Sequence, residues 1–328
     1  MIKSTLNEKK TLTILAVLSV VFGIGMCFVT EICLPLAAAV LAVLYLYDSS
    51  SSRSLSTVVS VSVIAINLAA TLFVGGYSVV TAFGAVLLAC ITWLCYSKNA
   101  SKCAAVLYST IAASAIIALS FVSIPMLIER SFSFDVVKEF YTALYISLKQ
   151  SFAVAIDQLY AGVSAVEAGI GISPEQFDIV FERATYMLIS ILVIVGFAIA
   201  GITLKIFSAF VSRLDSDSDR VVNWKFEMPI LYAYFFMALS LINLFASSSM
   251  SVFAISMSNL YNVFLFVYAY VGMRVAHNHF AAKRGKIGVT LIMLVIILLA
   301  FSLSIQVLAL VGVFYSIYRN RVQKLGGN

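Results

Sequence analysis

Residues 224–229 read Trp224-Lys225-Phe226-Glu227-Met228-Pro229, and from there to Arg321 the chain is almost wholly apolar. Glu227 is the last acid. The 101 residues after it hold no Asp or Glu, but they hold seven cations: Arg274, Lys283, Arg284, Lys286, Arg319, Arg321 and Lys324. The 46 uncharged residues between Glu227 and Arg274 are enough for two helices that each cross a hydrocarbon core of about 30 Å. Asn243, Asn259 and Asn262 interrupt this apolar sequence. An amide in hydrocarbon is costly without a partner, so the block reads as packed membrane helices with polar groups to satisfy.

The rest of the chain has the same character. Apolar residues make up 62% and charged residues 11%, with a mean hydropathy of +1.05. Soluble domains carry about 25% charged residues, so a soluble fold is excluded. The net charge of +6 has no basic soluble face behind it, which excludes a nucleic-acid reading. The five cysteines, at 27, 33, 90, 95 and 103, form no Cys-x-x-Cys pair and read as small buried hydrophobes.

Residues 11–128 are expected to form five spans. The 20 uncharged residues between Lys10 and Glu31 read as a retained first helix rather than a signal peptide, since no Ala-x-Ala site follows. Ile32–Tyr47 is a shorter second span, with Pro35 near its start. Residues 54–97 are 44 uncharged residues divided by Gly75-Gly76 into two helices. Cys103–Ile128 is the fifth span.

Residues 129–183 differ, with eight acids against four bases. Val137, Phe140, Leu144, Leu148, Phe152, Ala155 and Leu159 recur at helical spacing among charges. This predicts an amphipathic helix over 135–160, lying in the membrane interface, capping the bundle, or gating a cavity. Ala161–Ser173 reads as a loop, and Ser173-Pro174-Glu175 starts a helix expected to run unbroken through the span 184–204 to Arg213. In that span Gly196-x-x-x-Ala200 offers a face for close helix approach. Asp215-Ser-Asp217-Ser-Asp219 resembles a calcium loop in spacing, but Arg220 and Phe226 replace the required Gly and Glu, so it reads as a solvated turn. His277 and His279, at i and i+2, do not share a helical face, so no metal site is expected.

The overall expectation is an all-α, polytopic transmembrane bundle over 1–328. It has eight spans plus the 32-residue apolar run 287–318, nine or ten in all, with an amphipathic helix on the outer face. One helix of 32 residues would be about 48 Å long, too long to stand upright, so a return as two short helices or a partly re-entrant run is expected. With the N-terminus cytoplasmic, 17 of the 21 Lys and Arg fall inside if the C-terminus is also cytoplasmic, and 129–183 falls outside.

No catalytic or phosphate-binding motif occurs, and no Asp or Glu lies inside a predicted span. A self-energised carrier usually places an ionisable group within the membrane. No enzyme, cofactor or metal is therefore expected. Two readings of the asparagines stay open. They bond one another and lock helices, or Asn243, Asn259 and Asn262 line a solute cavity with Trp224 and Tyr261 as aromatic wall.

Several pieces together resemble the YybS-like family of bacterial membrane proteins, a domain of unknown function. They are Asp157-Gln158, Trp224-Lys225-Phe226 with Pro229, Asn259-Leu-Tyr-Asn-Val-Phe, Gly272 before a basic loop, and Leu308-Ala-Leu-Val-Gly312 running into Tyr318-Arg319-Asn320-Arg321. The chain departs from that pattern at Val271 and at Val313-Phe314. The family is distantly similar to substrate-binding subunits of energy-coupling-factor transporters. The resemblance implies a small-solute-binding transport subunit whose partners, besides the bilayer, are energy-coupling ATPase subunits. The alternative is a non-transport membrane scaffold or envelope assembly factor that binds other membrane proteins.

Overall fold

The computed structural model describes residues 2–48, 54–73, 78–160, 174–214, 228–246 and 251–325. Everything regular among them is helical: α1 (Ile2–Gly25), α2 (Thr30–Asp48), α3 (Ser54–Phe73), α4 (Ser78–Ser97), α5 (Lys102–Ile128), α6 (Phe134–Tyr160), α7 (Pro174–Tyr186), α8 (Leu188–Leu214), α9 (Ile230–Ala246), α10 (Val252–Arg284), α11 (Lys286–Leu299) and α12 (Phe301–Leu325). Among the described residues α3, α4, α5, α8 and α10 are long and apolar enough to cross a membrane, and four shorter apolar helices lie in α1, α2, α9 and α11. The Gly75-Gly76 pair, the 161–173 loop and the 215–219 turn lie outside the described residues.

α2 is the hub. Ala37 through Leu44 are each fully buried, all round the helix. A helix that is apolar on every face belongs inside, and its run of alanines lets neighbours approach closely. α1, α3, α4 and α8 surround it, burying Leu15, Val63, Leu88 and Phe207 in the same core. α5 packs on α4 and α8. Gly196 of α8 lies against the Ser114 backbone of α5, where an added Cβ would sit 2.8 Å from the Ser114 nitrogen, and Ala200 one turn on is fully buried.

A second core joins α9, α10 and α12 through Ala233, Phe236, Tyr268, Ala269, Ile305, Ala309 and Val313. The two cores meet where Val106, Leu204 and Val271 bring α5, α8 and α10 together.

The apolar run 287–318 is two helices. Ala300, at φ −133° and ψ 50°, breaks it. The Ser304 hydroxyl donates to the Ile296 carbonyl at 3.2 Å, whereas residues eight apart in a continuous helix are separated by about 12 Å. α11 returns along α10, with His277 Nε2 and Thr290 Oγ1 3.0 Å apart and Gly285, at φ 84°, making the turn. α12 then runs beside α10 in the same direction: Phe301 meets Phe266, and further along Gly312 meets Gly272.

One expectation is corrected. The helix starting at Pro174 is not continuous but breaks at Met187 into α7 and α8. In α6, Leu144 and Leu148 of the apolar stripe are 44% and 47% exposed, an arrangement a helix lying in the membrane interface also has. Tyr141, Tyr145 and Lys149 tie it to α5 and α7 by hydrogen bonds.

Candidate functional site

The Met187 break is built around Asn259. In an unbroken helix the Ser190 N–H would bond the Tyr186 carbonyl four residues back. The Asn259 carboxamide lies between them. Its Oδ1 accepts from the Ser190 N–H at 3.2 Å, and its Nδ2 donates to the Tyr186 carbonyl at 2.8 Å and to Ile255 on its own helix at 3.1 Å. The bonds on either side, Met187 N–H to Arg183 and Ile191 N–H to Met187, are ordinary helical ones. A side chain inserted into the hydrogen-bond ladder is one of the identifiable causes of a helix kink. Asn259 is 7% exposed and each half of its amide is engaged.

The other expected residues are not gathered around it. The Asn243 Oδ1 accepts from the Ser258 hydroxyl at 2.7 Å, tying α9 to α10. Asn262 is half-buried, and among the described residues no hydrogen bond joins the three asparagines to one another. The mutual amide lock is therefore corrected: Asn243 bonds a hydroxyl and Asn259 bonds backbone groups rather than one another. Tyr261 stacks on Phe236 with ring centroids 5.6 Å apart, and Tyr268 stacks on the same ring at 5.2 Å. Trp224 lies outside the described residues.

Two features were not recognised in the sequence. Asn67 of α3 is fully buried and clasps α1. Its Nδ2 donates to the Gly23 and Val63 carbonyls at 2.9 Å each, and its Oδ1 accepts from the Cys27 thiol at 3.3 Å. Its signal was available, because it is the sole amide side chain in the uncharged run 54–97. Asp48, the last residue of α2, is 3% exposed and accepts the Ser56 N–H at 2.7 Å, capping the first turn of α3.

The pieces Gly272 and Leu308–Gly312 converge. An added Cβ at Gly272 would run into the Leu308 carbonyl, and one at Gly312 into the Tyr268 carbonyl. Only glycine allows the backbones of α10 and α12 this approach.

Hydroxyls on α4 and α5 stand out chemically. Most buried Ser and Thr here donate to a carbonyl one turn back, as Ser19, Ser60, Thr203 and Ser316 do. Thr92 of α4 and Ser109, Thr110 and Ser114 of α5 have buried hydroxyls with no hydrogen-bond partner among the described residues. Ile116 of α5 fills the space beside Gly84 of α4, and the short 98–101 connection makes these helices antiparallel, so Thr92 lies level with Ser109. Ser114 faces Gly196 of α8. Buried polar groups almost always have a partner, so these hydroxyls, like that of Tyr268 in the second core, call for an explanation.

Outside the spans, Asp178 of α7 holds α6. It accepts from Lys149 at 2.7 Å and from the Tyr145 hydroxyl, beside the Tyr145–Phe181 ring contact at 4.6 Å. Hydrogen bonds from Lys149, then Tyr145, hold the Asp178 carboxyl below its ordinary range, and the carboxylate in turn raises both partners. No group of three or more His, Cys, Asp or Glu among the described residues is placed to hold a metal ion.

Residues 6–314 match the family model described as predicted membrane protein (DUF2232). No curated protein and no solved structure matches the chain.

Proposed function

The chain belongs to this family of predicted membrane proteins, and from that premise we propose that it is a non-catalytic membrane subunit that binds a small polar solute and takes its energy from a partner ATPase. The observation that carries this reading is the set of buried, partnerless hydroxyls at Thr92, Ser109, Thr110 and Ser114. A small polar molecule reaching the α4–α5 seam at Thr92 and Ser109 would complete their hydrogen bonds. No Asp or Glu lies inside a predicted span, which favours an external energy source over ion coupling within the chain. The resemblance to energy-coupling-factor binding subunits supports the same form. Asn243, Asn259 and Tyr261 are read as helix-packing residues rather than solute contacts, a reading supported by their bonds to Ser258, to the Tyr186 and Ser190 backbone, and by the Phe236 stack.

The second reading is a scaffold or assembly factor of the envelope. It is favoured by the same use of buried amides as structural ties at Asn67 and Asn259. In either case we read both termini as cytoplasmic, supported by the 17 of 21 Lys and Arg that this orientation puts inside.

Purification in mild detergent followed by mass spectrometry of proteins and metabolites decides between them. A co-purifying ATPase and a metabolite that is lost in Thr92→Val/Ser109→Ala support the transport subunit. A stable complex with envelope proteins and no metabolite supports the scaffold. Recovery of no partner at all removes both.

A further inference from the structure

α6 follows α5, one of the helices long enough to cross the membrane. A helix after a span can stand clear of the bilayer or fold back onto it. Tyr141 decides which. Its hydroxyl donates to the Phe121 carbonyl at 2.7 Å, and the two rings are 6.1 Å apart. Phe121 is seven residues short of Ile128, the end of α5, so this contact is set back about 10 Å along the span. Leu119 and Phe121 are exposed there, on the side of α5 that faces lipid. α6 is thus held level with lipid rather than above it.

Helical geometry gives α6 three faces. Tyr141, Tyr145 and Lys149, at i, i+4 and i+8, form the row that ties it to α5 and α7. Leu144 and Leu148 lie to one side of that row and are exposed. Asp135, Glu139 and Thr142 lie to the other side and are exposed too. Ile128, Phe132 and Phe134, all exposed, carry the apolar surface from the end of α5 to the start of α6.

We propose that α6 lies in the bilayer surface at the Ile128 end of α5, with Leu144 and Leu148 among the acyl chains and Asp135, Glu139 and Thr142 toward water. Exposed apolar surface marks a contact with protein or with membrane. The depth fixed by the Tyr141–Phe121 bond chooses membrane, because lipid is what borders α5 at that depth. Interfacial helices sink their apolar face about 5–10 Å into the boundary between headgroups and acyl chains, the same order as the setback of the Tyr141 contact. Tyrosine suits that boundary, with an apolar ring and a hydroxyl that needs a partner.

The test places the full chain in liposomes of phosphatidylcholine, or of phosphatidylcholine brominated high on its acyl chains, with single tryptophans added to the native Trp93 and Trp224. Emission above that of the parent chain is read against brominated lipid and against aqueous iodide. The added emission of Leu144→Trp and of Leu148→Trp is expected to be lost in brominated lipid and spared by iodide. Glu139→Trp and Thr142→Trp are expected to show the reverse. All four positions are exposed, so each variant is expected to keep the parent melting temperature. Loss of the Leu144→Trp and Leu148→Trp emission to iodide would put the stripe in water and overturn the proposal. Sparing of both by both quenchers would mean that a second copy or another segment covers the stripe, and would overturn it as well. Loss of all four to brominated lipid would refute the two-sided seat. None of these outcomes depends on the solute or the ATPase.

Discussion

Asn259→Leu tests the amide wedge at the α7–α8 break. Leucine matches asparagine in branching and heavy-atom count but is larger, so the change removes the hydrogen bonds and adds a packing cost of its own. Three are lost, at 3.2, 2.8 and 3.1 Å. The Ile255 carbonyl keeps its own helical bond, so its loss is small. The Tyr186 carbonyl and Ser190 N–H are the groups left stranded. An interhelical hydrogen bond in a membrane protein is worth ~0.6 kcal/mol on average, and at most ~1.7. Leaving a buried polar group unsatisfied costs about 1–3 kcal/mol. If the break persists, the variant is expected to lose about 2 kcal/mol, read as a shifted midpoint in denaturant titration of the detergent-solubilised protein and a melting temperature lower by a few degrees. If instead α7 swings until Tyr186 and Ser190 bond directly, most of that energy is recovered, but α7 moves relative to α6. Hydrogen exchange separates the two cases, since the Ser190 amide exchanges faster in the first and slower in the second. A variant with both stability and Ser190 exchange unchanged would falsify the wedge.

Gly272→Ala is expected to cost roughly 1–3 kcal/mol, because its Cβ meets backbone on α12 and the helices must part. Gly201→Ala, where nothing lies within 4 Å, is the matched control and is expected to be neutral or slightly stabilising; equal behaviour of the two in a melting assay refutes the close crossing. Asn67→Leu is expected to loosen α1 from α3, seen as faster alkylation of Cys27 by a membrane-permeant maleimide, and unchanged labelling argues against the clasp. The α6–α7 tie depends on pH with a definite sign. The Asp178 carboxyl is depressed below its ordinary value of 3.8, so its contribution is present above that value and is lost as pH falls through the folded-state value. Proteolysis of the 161–173 connection is therefore expected to be the same at pH 5 and pH 7 in the native protein, and Asp178→Asn should raise it at both; equal resistance of the variant rules out the tie. A C-terminal phosphatase fusion is expected to be inactive, with an impermeant thiol reagent labelling Lys138→Cys in intact cells. An active fusion places the α12 end, and with it the whole basic end of α10, outside.

The composition and the lengths of the uncharged runs determined that this is an all-helical membrane protein, because hydrocarbon admits a spanning helix only where some twenty residues are apolar. They also located the helices to within a few residues: the run 54–97 resolves into α3 and α4, and the amphipathic stretch 135–160 into α6. The glycines at 272 and 312 were visible as isolated pieces. That they face each other was not, since glycine marks a close approach without naming its partner. The asparagines were legible as polar groups in need of partners, but the partners were not. A backbone carbonyl such as that of Tyr186 is present at every position, and only tertiary packing decides which one is left open to a side chain 73 residues away. The centrality of α2 was hidden for a related reason: in a membrane, residues facing lipid and residues facing protein are equally apolar, so hydropathy cannot tell the hub from the rim. The Ala300 reversal belongs to the structure as well. Length showed that 287–318 could not stand upright as one helix, but the choice between tilt and return rests on a single backbone break and the packing of α12 against α10.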